Sequence, residues 1–140
     1  MQEINFEEVV DRIVEKDTRY TRDAYLFLRE ALDHTQKTIP KKAKGAVRHV
    51  TGKELLNGIR EYGLAQFGPM TLSLFNEWGI HRCEDWGEIV FNLVETEALS
   101  KTETDTRADF QGGYDFVEAF RKPFLPAKAI QASEPEIKTV

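Results

Sequence analysis

Few residues of this chain are of the types that bind metals or act as nucleophiles: three histidines and one cysteine among 140 residues. His81 and Cys83 are close in the sequence, whereas His34 and His49 are isolated. A structural zinc site needs four soft ligands at recognisable spacings, which this set does not supply. A thiol near a helix start, such as Cys83, can have a lowered pKa, but no histidine or resolving cysteine stands out as its partner. We therefore predict neither a metal site nor a catalytic thiol.

Four carboxylates in the C-terminal half raise the alternative of a site for a hard cation: Asp105, Asp109, Asp115 and Glu118. Their spacing does not match the EF-hand calcium loop, so we interpret them as a solvated acidic loop. Gly112–Gly113 lacks the following Lys-Ser/Thr pair of a phosphate-binding loop. The sequence thus predicts no catalytic residue, no cofactor and no metal, and hence a protein that is not an enzyme.

Positive charge concentrates in one short segment without acidic residues. Between positions 37 and 48 the cations are Lys37, Lys41, Lys42, Lys44 and Arg48. They form the candidate interaction patch, which would contact phosphate groups or an acidic partner. The alternative is a solvated basic linker, which the proline and glycine of this segment favour. No aromatic residue lies between the lysines to stack on the bases of single-stranded nucleic acid.

The sign of the charge reverses in the C-terminal half. From Glu84 to Glu118 ten acidic residues stand against only Lys101 and Arg107, and the whole chain has a net charge of −5. The chain as a whole is therefore no general polyanion binder. Such asymmetry orients encounters with a partner but does not identify it.

Three helices joined by two tight turns are predicted from Thr51 to Leu99. Thr51 and Glu54 match the T-x-x-E capping box at the start of the first helix, and Gly68–Pro69 ends it. Gly79 is typical of the residue that follows a helix end. The apolar positions recur at helical spacing. They are Leu56, Ile59, Gly63 and Phe67 in the first helix, Met70, Leu74, Phe75 and Trp78 in the second, and Trp86, Ile89, Val90, Leu93 and Val94 in the third.

Two further helices are predicted before this unit. Asn5 and Glu8 indicate the start of a helix that ends near Lys16–Asp17, and Thr21 can cap the next. In the second helix one side is apolar: Ala24, Tyr25, Leu28, Ala31, Leu32 and Thr35. The residues predicted to face outward are Arg29, Glu30, Asp33 and Gln36.

The segment after Leu99 has two interpretations, an irregular loop or a short β-hairpin with strands near Ala98–Lys101 and Phe110–Phe116. With the hairpin, the pattern is similar to winged-helix regulators. The helix that would read bases then presents acidic side chains, which both DNA strands repel, so DNA reading is disfavoured. These positions are Glu84, Asp85, Gly87 and Glu88. The aromatic residues predicted to return to the core are Phe110, Tyr114, Phe116 and Phe120, with Phe124 and Leu125 docking after them.

Length and composition predict a single domain over residues 1–126. The helix pattern predicts that it is mainly α, a compact bundle of about five helices with a helix-turn-helix-like core. Residues 127–140 are predicted to be a disordered tail. A single cysteine, an N-terminus without a signal-peptide pattern and the absence of a membrane-spanning apolar run favour the cytoplasm.

Four strings resemble a family of small bacterial proteins of unknown function, known mainly from planctomycetes and verrucomicrobia. They are RHVTGKELL at 48–56, QFGPM at 66–70, GEIVFNLV at 87–94 and DFQGGYDF at 109–116. The resemblance spans Phe6 to Pro126 and implies a bacterial cytoplasmic protein with one compact domain. It assigns no activity, cofactor or partner, and no functional residue is carried over from it.

The function expected from the sequence is a non-enzymatic protein–protein interaction or regulatory module with an unidentified protein partner. The alternative is a nucleic-acid- or ribosome-associated protein that uses the basic segment 37–48. Steep weakening of binding with salt would distinguish the second function from the first.

Overall fold

The computed structural model describes residues 5–38, 50–99 and 107–126. In these ranges the protein is mainly helical, with five α-helices and no β-strand. The helices are α1 (Phe6–Lys16), α2 (Arg22–Thr38), α3 (Gly52–Phe67), α4 (Thr71–Glu77) and α5 (Cys83–Glu95). Shorter elements are the 3₁₀ turns Gly68–Met70, Arg107–Phe110 and Lys122–Phe124 and the π-helical turn Val117–Arg121. The predicted helical bundle is thereby confirmed, whereas the tail predicted over 127–140 lies outside the described residues.

Helix starts follow the predicted capping residues. The Asn5 side-chain oxygen accepts the backbone N–H groups of Glu7 and Glu8 at 3.0 and 3.3 Å. At α3 the Thr51 hydroxyl accepts the N–H of Glu54 at 3.1 Å, while the Glu54 carboxylate accepts the N–H of Thr51 at 3.0 Å. Both caps satisfy backbone donors that a helix N-terminus otherwise leaves without partners.

Helices α2 and α3 approach each other closely at a glycine. A Cβ atom at Gly58 would overlap with Oγ1 of Thr35 and lie 2.9 Å from its Cβ. The Thr35 hydroxyl is buried and donates to the carbonyl of Ala31 at 2.7 Å. A side chain at position 58 would therefore force the two helices apart.

An aromatic cluster fills the centre of the bundle. The Phe27 ring lies 5.4 Å from Phe75, 5.5 Å from Trp78 and 5.8 Å from Trp86, measured between centroids. Phe75 also contacts Phe120 edge to face at 5.1 Å. Trp86 is fully buried and Trp78 is 9% exposed, so both tryptophans belong to the core. Such offset and edge-to-face contacts are the favoured arrangements of aromatic pairs.

The chain after α5 returns to this core through Phe110. Two glycines make room for its ring: a Cβ atom at Gly52 would lie 3.1 Å from Cε1 of Phe110, and one at Gly87 would lie 3.1 Å from its Cγ. Phe110 is completely buried as a result. The predicted return of aromatic residues to the core is confirmed, with Phe116 and Phe120 buried and Tyr114 half-buried.

The described residues do not form the predicted wing. The Leu93 carbonyl accepts the N–H groups of Ala98 and Leu99 at 2.9 and 3.2 Å, so these residues close α5 instead of starting a strand. The predicted return strand, Phe110–Phe116, is the end of a 3₁₀ turn followed by a loop. Residues 100–106 lie outside the described ranges.

Three apolar residues predicted to point inward are exposed instead: Met70 at 58%, Phe124 at 43% and Leu125 at 39%. Met70 ends a 3₁₀ turn and is out of phase with the apolar side of α4. The inward position belongs to Thr71, whose hydroxyl donates to the Gly63 carbonyl at 3.0 Å. The π-helical turn before Phe124 changes the phase of the C-terminal segment in the same way.

Candidate functional site

A groove runs along the outward side of α2. It consists of two adjoining concavities of about 640 and 280 Å³, which share Phe6, Arg29 and Asp33 in their walls. One extends to the start of α1 and the other to the turn after α5. The remaining lining residues are Asn5, Glu7, Leu26 and Glu30 in the first concavity and Leu32, Gln36, Ala98 and Leu99 in the second. We call this surface the α2 groove.

The floor of the groove is one stripe of α2. Leu26, Arg29, Glu30 and Asp33 are spaced i, i+3, i+4 and i+7, which places them on one helix face. From Leu26 to Gln36 the stripe is roughly 15 Å long at the helical rise per residue. The outward orientation of Arg29, Glu30 and Asp33 was predicted, and all three are exposed, whereas Gln36 is half-buried.

Phe6, Arg29 and Asp33 form the middle of the groove. The Arg29 guanidinium carbon lies 4.8 Å from the centroid of the Phe6 ring, a cation–π contact that turns this cation toward α1. Asp33 is one helical turn from Arg29, yet its carboxylate forms no ion pair or hydrogen bond with any residue in the described ranges. An exposed carboxylate therefore lies beside a half-buried aromatic ring.

The other two carboxylates of the groove have partners. Glu30 accepts a hydrogen bond from the Tyr62 hydroxyl at 3.0 Å, and Glu7 pairs with Arg22 at 3.1 Å. Among the described residues that line the groove, the charged groups are thus three carboxylates and one guanidinium. This combination of apolar surface and negative charge suits the binding of side chains of a partner molecule.

A polar network on α5 anchors the connection between α1 and α2. Arg19 donates to Asp17 through Nε at 2.9 Å and through Nη2 at 2.7 Å. The Asn92 side chain donates to Asp17 at 3.0 Å and to the Tyr25 hydroxyl at 3.0 Å. Arg19 also reaches Glu88 at 3.4 Å. The bonds from Arg19 hold the pKa of Asp17 well below its usual range.

A second carboxylate extends this network to the start of α5. Asp85 accepts the Tyr20 hydroxyl at 2.9 Å and the backbone N–H groups of His81 and Arg82 at 2.8 and 3.2 Å. Burial and the bond to Asp85 raise the pKa of Tyr20. The side chains of this network bond to one another. We therefore infer that its role is to hold the α1–α2 connection against α5.

We expect Asp17→Asn to lower the free energy of unfolding by about 1–2 kcal/mol near neutral pH, because it weakens charge-assisted bonds. The pKa of Asp17 is depressed in the folded state, so the contribution is complete well above the unfolded value of 3.8 and is lost as the pH falls below it. The difference between wild type and variant should therefore shrink on acidification. Urea titrations at a series of pH values measure it.

The control for this prediction is Asp11→Asn, which breaks an exposed ion pair with Arg22. We expect it to change the free energy of unfolding by less than about 1 kcal/mol. A difference between wild type and Asp17→Asn that stays constant down to strongly acidic pH would contradict the role of the charged form.

Cys83 lies inside the protein at the start of α5. It is 1% exposed, and its Sγ accepts the N–H of Tyr114 at 3.3 Å. Burial raises the pKa of the thiol to about 11. A lowered thiol pKa, the alternative that the helix start suggested, is therefore wrong, because desolvation of the thiolate outweighs the helix terminus.

We expect Cys83 to resist N-ethylmaleimide at neutral pH in the folded protein and to react fully in denaturant. Intact-mass spectrometry over time checks this, with a short unstructured cysteine peptide as the reactivity control. Labelling of the folded protein at the rate of that peptide would show the burial to be wrong.

Most of the candidate interaction patch lies outside the described residues. Lys37 is exposed near the end of α2. Lys41, Lys42, Lys44 and Arg48 are in the range that the structure does not describe, so their role stays a prediction.

The candidate metal ligands that lie in the described ranges do not converge. His34 Nε2 lies 3.7 Å from a Glu61 oxygen, and His81 contacts an asparagine through Nδ1. Asp115 accepts the backbone N–H of Glu118 at 3.1 Å. Within residues 5–38, 50–99 and 107–126 no three His, Cys, Asp or Glu side chains are grouped to hold a metal ion. His49 and Asp105 lie outside these ranges.

Three apolar side chains of the C-terminal turns are exposed. Val117, Phe124 and Leu125 are each about two-fifths exposed, at 43%, 43% and 39%. These residues do not line the α2 groove.

The walls of the α2 groove were not foreseen from the sequence. Ala98 and Leu99 were predicted to begin a strand. One sequence feature does indicate the groove: Leu26 is an apolar residue three positions before Arg29 on the outward face of α2. The rest depends on how α1 and the end of α5 pack against α2.

Among the helices in the described ranges, none has the length and hydrophobicity required to cross a lipid bilayer. Comparisons with protein-family models, with curated proteins and with solved structures gave no match to this chain, so the resemblance to a bacterial family stays a prediction.

Proposed function

We propose that the protein is a non-enzymatic protein-binding module of the bacterial cytoplasm, with a regulatory or adaptor role, and that it holds a segment of its partner in the α2 groove. One observation carries the proposal: Leu26 and Phe6 offer apolar surface in a concavity that is also lined by Asp33, whose carboxylate has no ion pair or hydrogen bond within the described ranges. Binding sites combine apolar contact with polar groups that fix the orientation of the ligand. Phe6 and Leu26 can supply the first here, and the more numerous polar residues of the lining can supply the second.

The rigidity of α2 supports this proposal. Its inner side carries Tyr25, Leu28 and Ala31, each without exposed surface, so the helix is fixed to the core. The outward stripe is consequently presented in one orientation before a partner arrives. Preorganisation of this kind reduces the entropy lost on binding.

The experiment is an affinity pull-down from bacterial lysate, divided into nuclease-treated and untreated halves, with proteomics and nucleic-acid sequencing of both. Three baits are compared: wild type, Leu26→Ser and Met70→Ser. Met70 is the matched control because it is exposed, apolar and absent from the groove. We expect a protein partner that survives nuclease, is lost with Leu26→Ser and is retained with Met70→Ser.

Loss of every partner on nuclease treatment would contradict the proposal and favour nucleic-acid or ribosome association. In that case the charge reversal of Lys41, Lys42 and Lys44 to glutamate should abolish recovery of the nucleic acid. A catalytic turnover abolished by one groove substitution would overturn the non-enzymatic assignment.

A further inference from the structure

The partner segment can be defined by its chemistry. Building on the function proposed above, we propose that the α2 groove binds a basic amphipathic peptide segment of another protein. A lysine or arginine of that segment pairs with Asp33, and an apolar side chain beside it packs on Phe6 and Leu26.

The charge of the groove selects a cation. Asp33 is exposed and has no ion pair or hydrogen bond within the described ranges, so its carboxylate is available to a partner. Glu30 lies one turn away on the same stripe and is also exposed. An arriving ammonium or guanidinium group gains from both carboxylates, and a partner carboxylate is repelled by both.

Arg29, the one cation among the described residues of the groove, is not free to attract an anion strongly. The Arg29 guanidinium lies over the Phe6 ring, and Glu7 and Asp33 line the same concavity. A phosphate in this position would face three carboxylates and a single guanidinium. Phosphorylated and acidic partners are therefore disfavoured relative to basic ones.

The apolar surface demands a second feature of the partner. Phe6, Leu26 and Leu99 are each half-buried and line the groove on both sides of Arg29 and Asp33. A purely cationic chain would leave this surface in water, whereas an apolar side chain next to the cation removes it from water. The stripe of roughly 15 Å accommodates about ten residues of a helix or about five of an extended chain.

The test uses two labelled synthetic peptides of about eleven residues, one of leucine and lysine in an amphipathic order and one with glutamate at every lysine position. Fluorescence anisotropy gives the affinity of each for the full chain at low and at physiological ionic strength. We expect wild type to bind the lysine peptide at least about tenfold more tightly than the glutamate peptide.

Reversing the charge of Asp33 tests whether the preference for the lysine peptide arises in the groove. Asp33→Lys should weaken the lysine peptide about tenfold and strengthen the glutamate peptide by a similar factor. The matched control is Glu77→Lys, the same charge change at an exposed position at the end of α4, which should leave the ratio of the two affinities within about twofold. Leu26→Ser should weaken both peptides. Circular dichroism confirms that each variant is folded.

Equal affinity for the two peptides, or the same preference in Asp33→Lys as in wild type, would overturn the proposed partner chemistry. So would sedimentation of wild type as a dimer that Asp33→Lys dissociates, because the occupant would then be a second copy of the chain. If the peptides show no such preference but Leu26→Ser still loses its partner in the pull-down, only the inference about a basic peptide is refuted. If the peptides show no preference and Leu26→Ser also retains the partner, the proposed function is refuted as well.

Discussion

Replacing Phe110 with alanine is expected to lower the free energy of unfolding by about 3–5 kcal/mol, the range for large-to-small changes at buried aromatic sites. Phe110 has no exposed surface, and its ring fills a slot formed by Gly52 in α3 and Gly87 in α5. The substitution leaves a cavity that these helices cannot close, because both are fixed elsewhere in the core. Denaturant unfolding monitored by circular dichroism measures the change.

Two further variants make this prediction specific. Phe124→Ala removes an aromatic ring that is 43% exposed, and we expect a loss of less than about 1 kcal/mol. Gly87→Ala places a Cβ atom 3.0 Å from Cβ, 3.1 Å from Cγ and 3.3 Å from Cδ1 of Phe110. Its effect should be smaller in the Phe110→Ala background, since the contacts with Cγ and Cδ1 are gone and only the contact with Cβ remains. A loss of under about 1 kcal/mol for Phe110→Ala would show that the ring does not hold α3 and α5 together.

The second large effect is expected for Gly79→Ala, which should destabilise the protein by about 3 kcal/mol or more. Gly79 has a φ of +93°, a conformation that costs an L-residue about 1–2 kcal/mol. In addition, a Cβ atom there would overlap with the backbone carbonyl oxygen of Arg19. That carbonyl cannot move away easily, because the N–H of Thr21 donates to the Trp78 carbonyl at 3.1 Å and Arg19 is bonded to Asp17. Thermal and urea unfolding measure the loss.

Gly112→Ala is the matched control for this prediction. Gly112 also has a positive φ, +62°, but a Cβ atom there meets no atom within 4 Å. Gly112→Ala should therefore lower the free energy of unfolding only by the cost of the positive φ, about 1 kcal/mol. Equal effects of the two substitutions would mean that the close approach of Arg19 to Gly79 does not contribute to stability.

The C-terminal ends of α4 and α5 show which helix ends can be predicted from local sequence signals. At α4 the N–H of Ile80 donates to the Phe75 carbonyl at 2.8 Å with Gly79 at positive φ, which the glycine itself predicted. At α5 the N–H of Ala98 donates in the same way to Leu93 at 2.9 Å, but the residue at positive φ is Glu97. A glutamate carries no signal for that conformation, and for this reason Ala98 and Leu99 were assigned to a strand.

Local chemistry by itself determined the helices of this protein. Asn5 and the Thr51–Glu54 box set helix starts, Gly68 and Gly79 set helix ends, and the apolar period gave the inner side of each helix, because all these signals act within a few residues of the chain. Tertiary structure alone decided the slot for Phe110, the contact of Gly58 with Thr35 and the burial of Cys83. It also decided the α2 groove, since Phe6 and Leu99 meet the stripe of Asp33 only after distant helices have packed. Such approaches depend on pairs of residues far apart in sequence, which periodicity and capping do not encode.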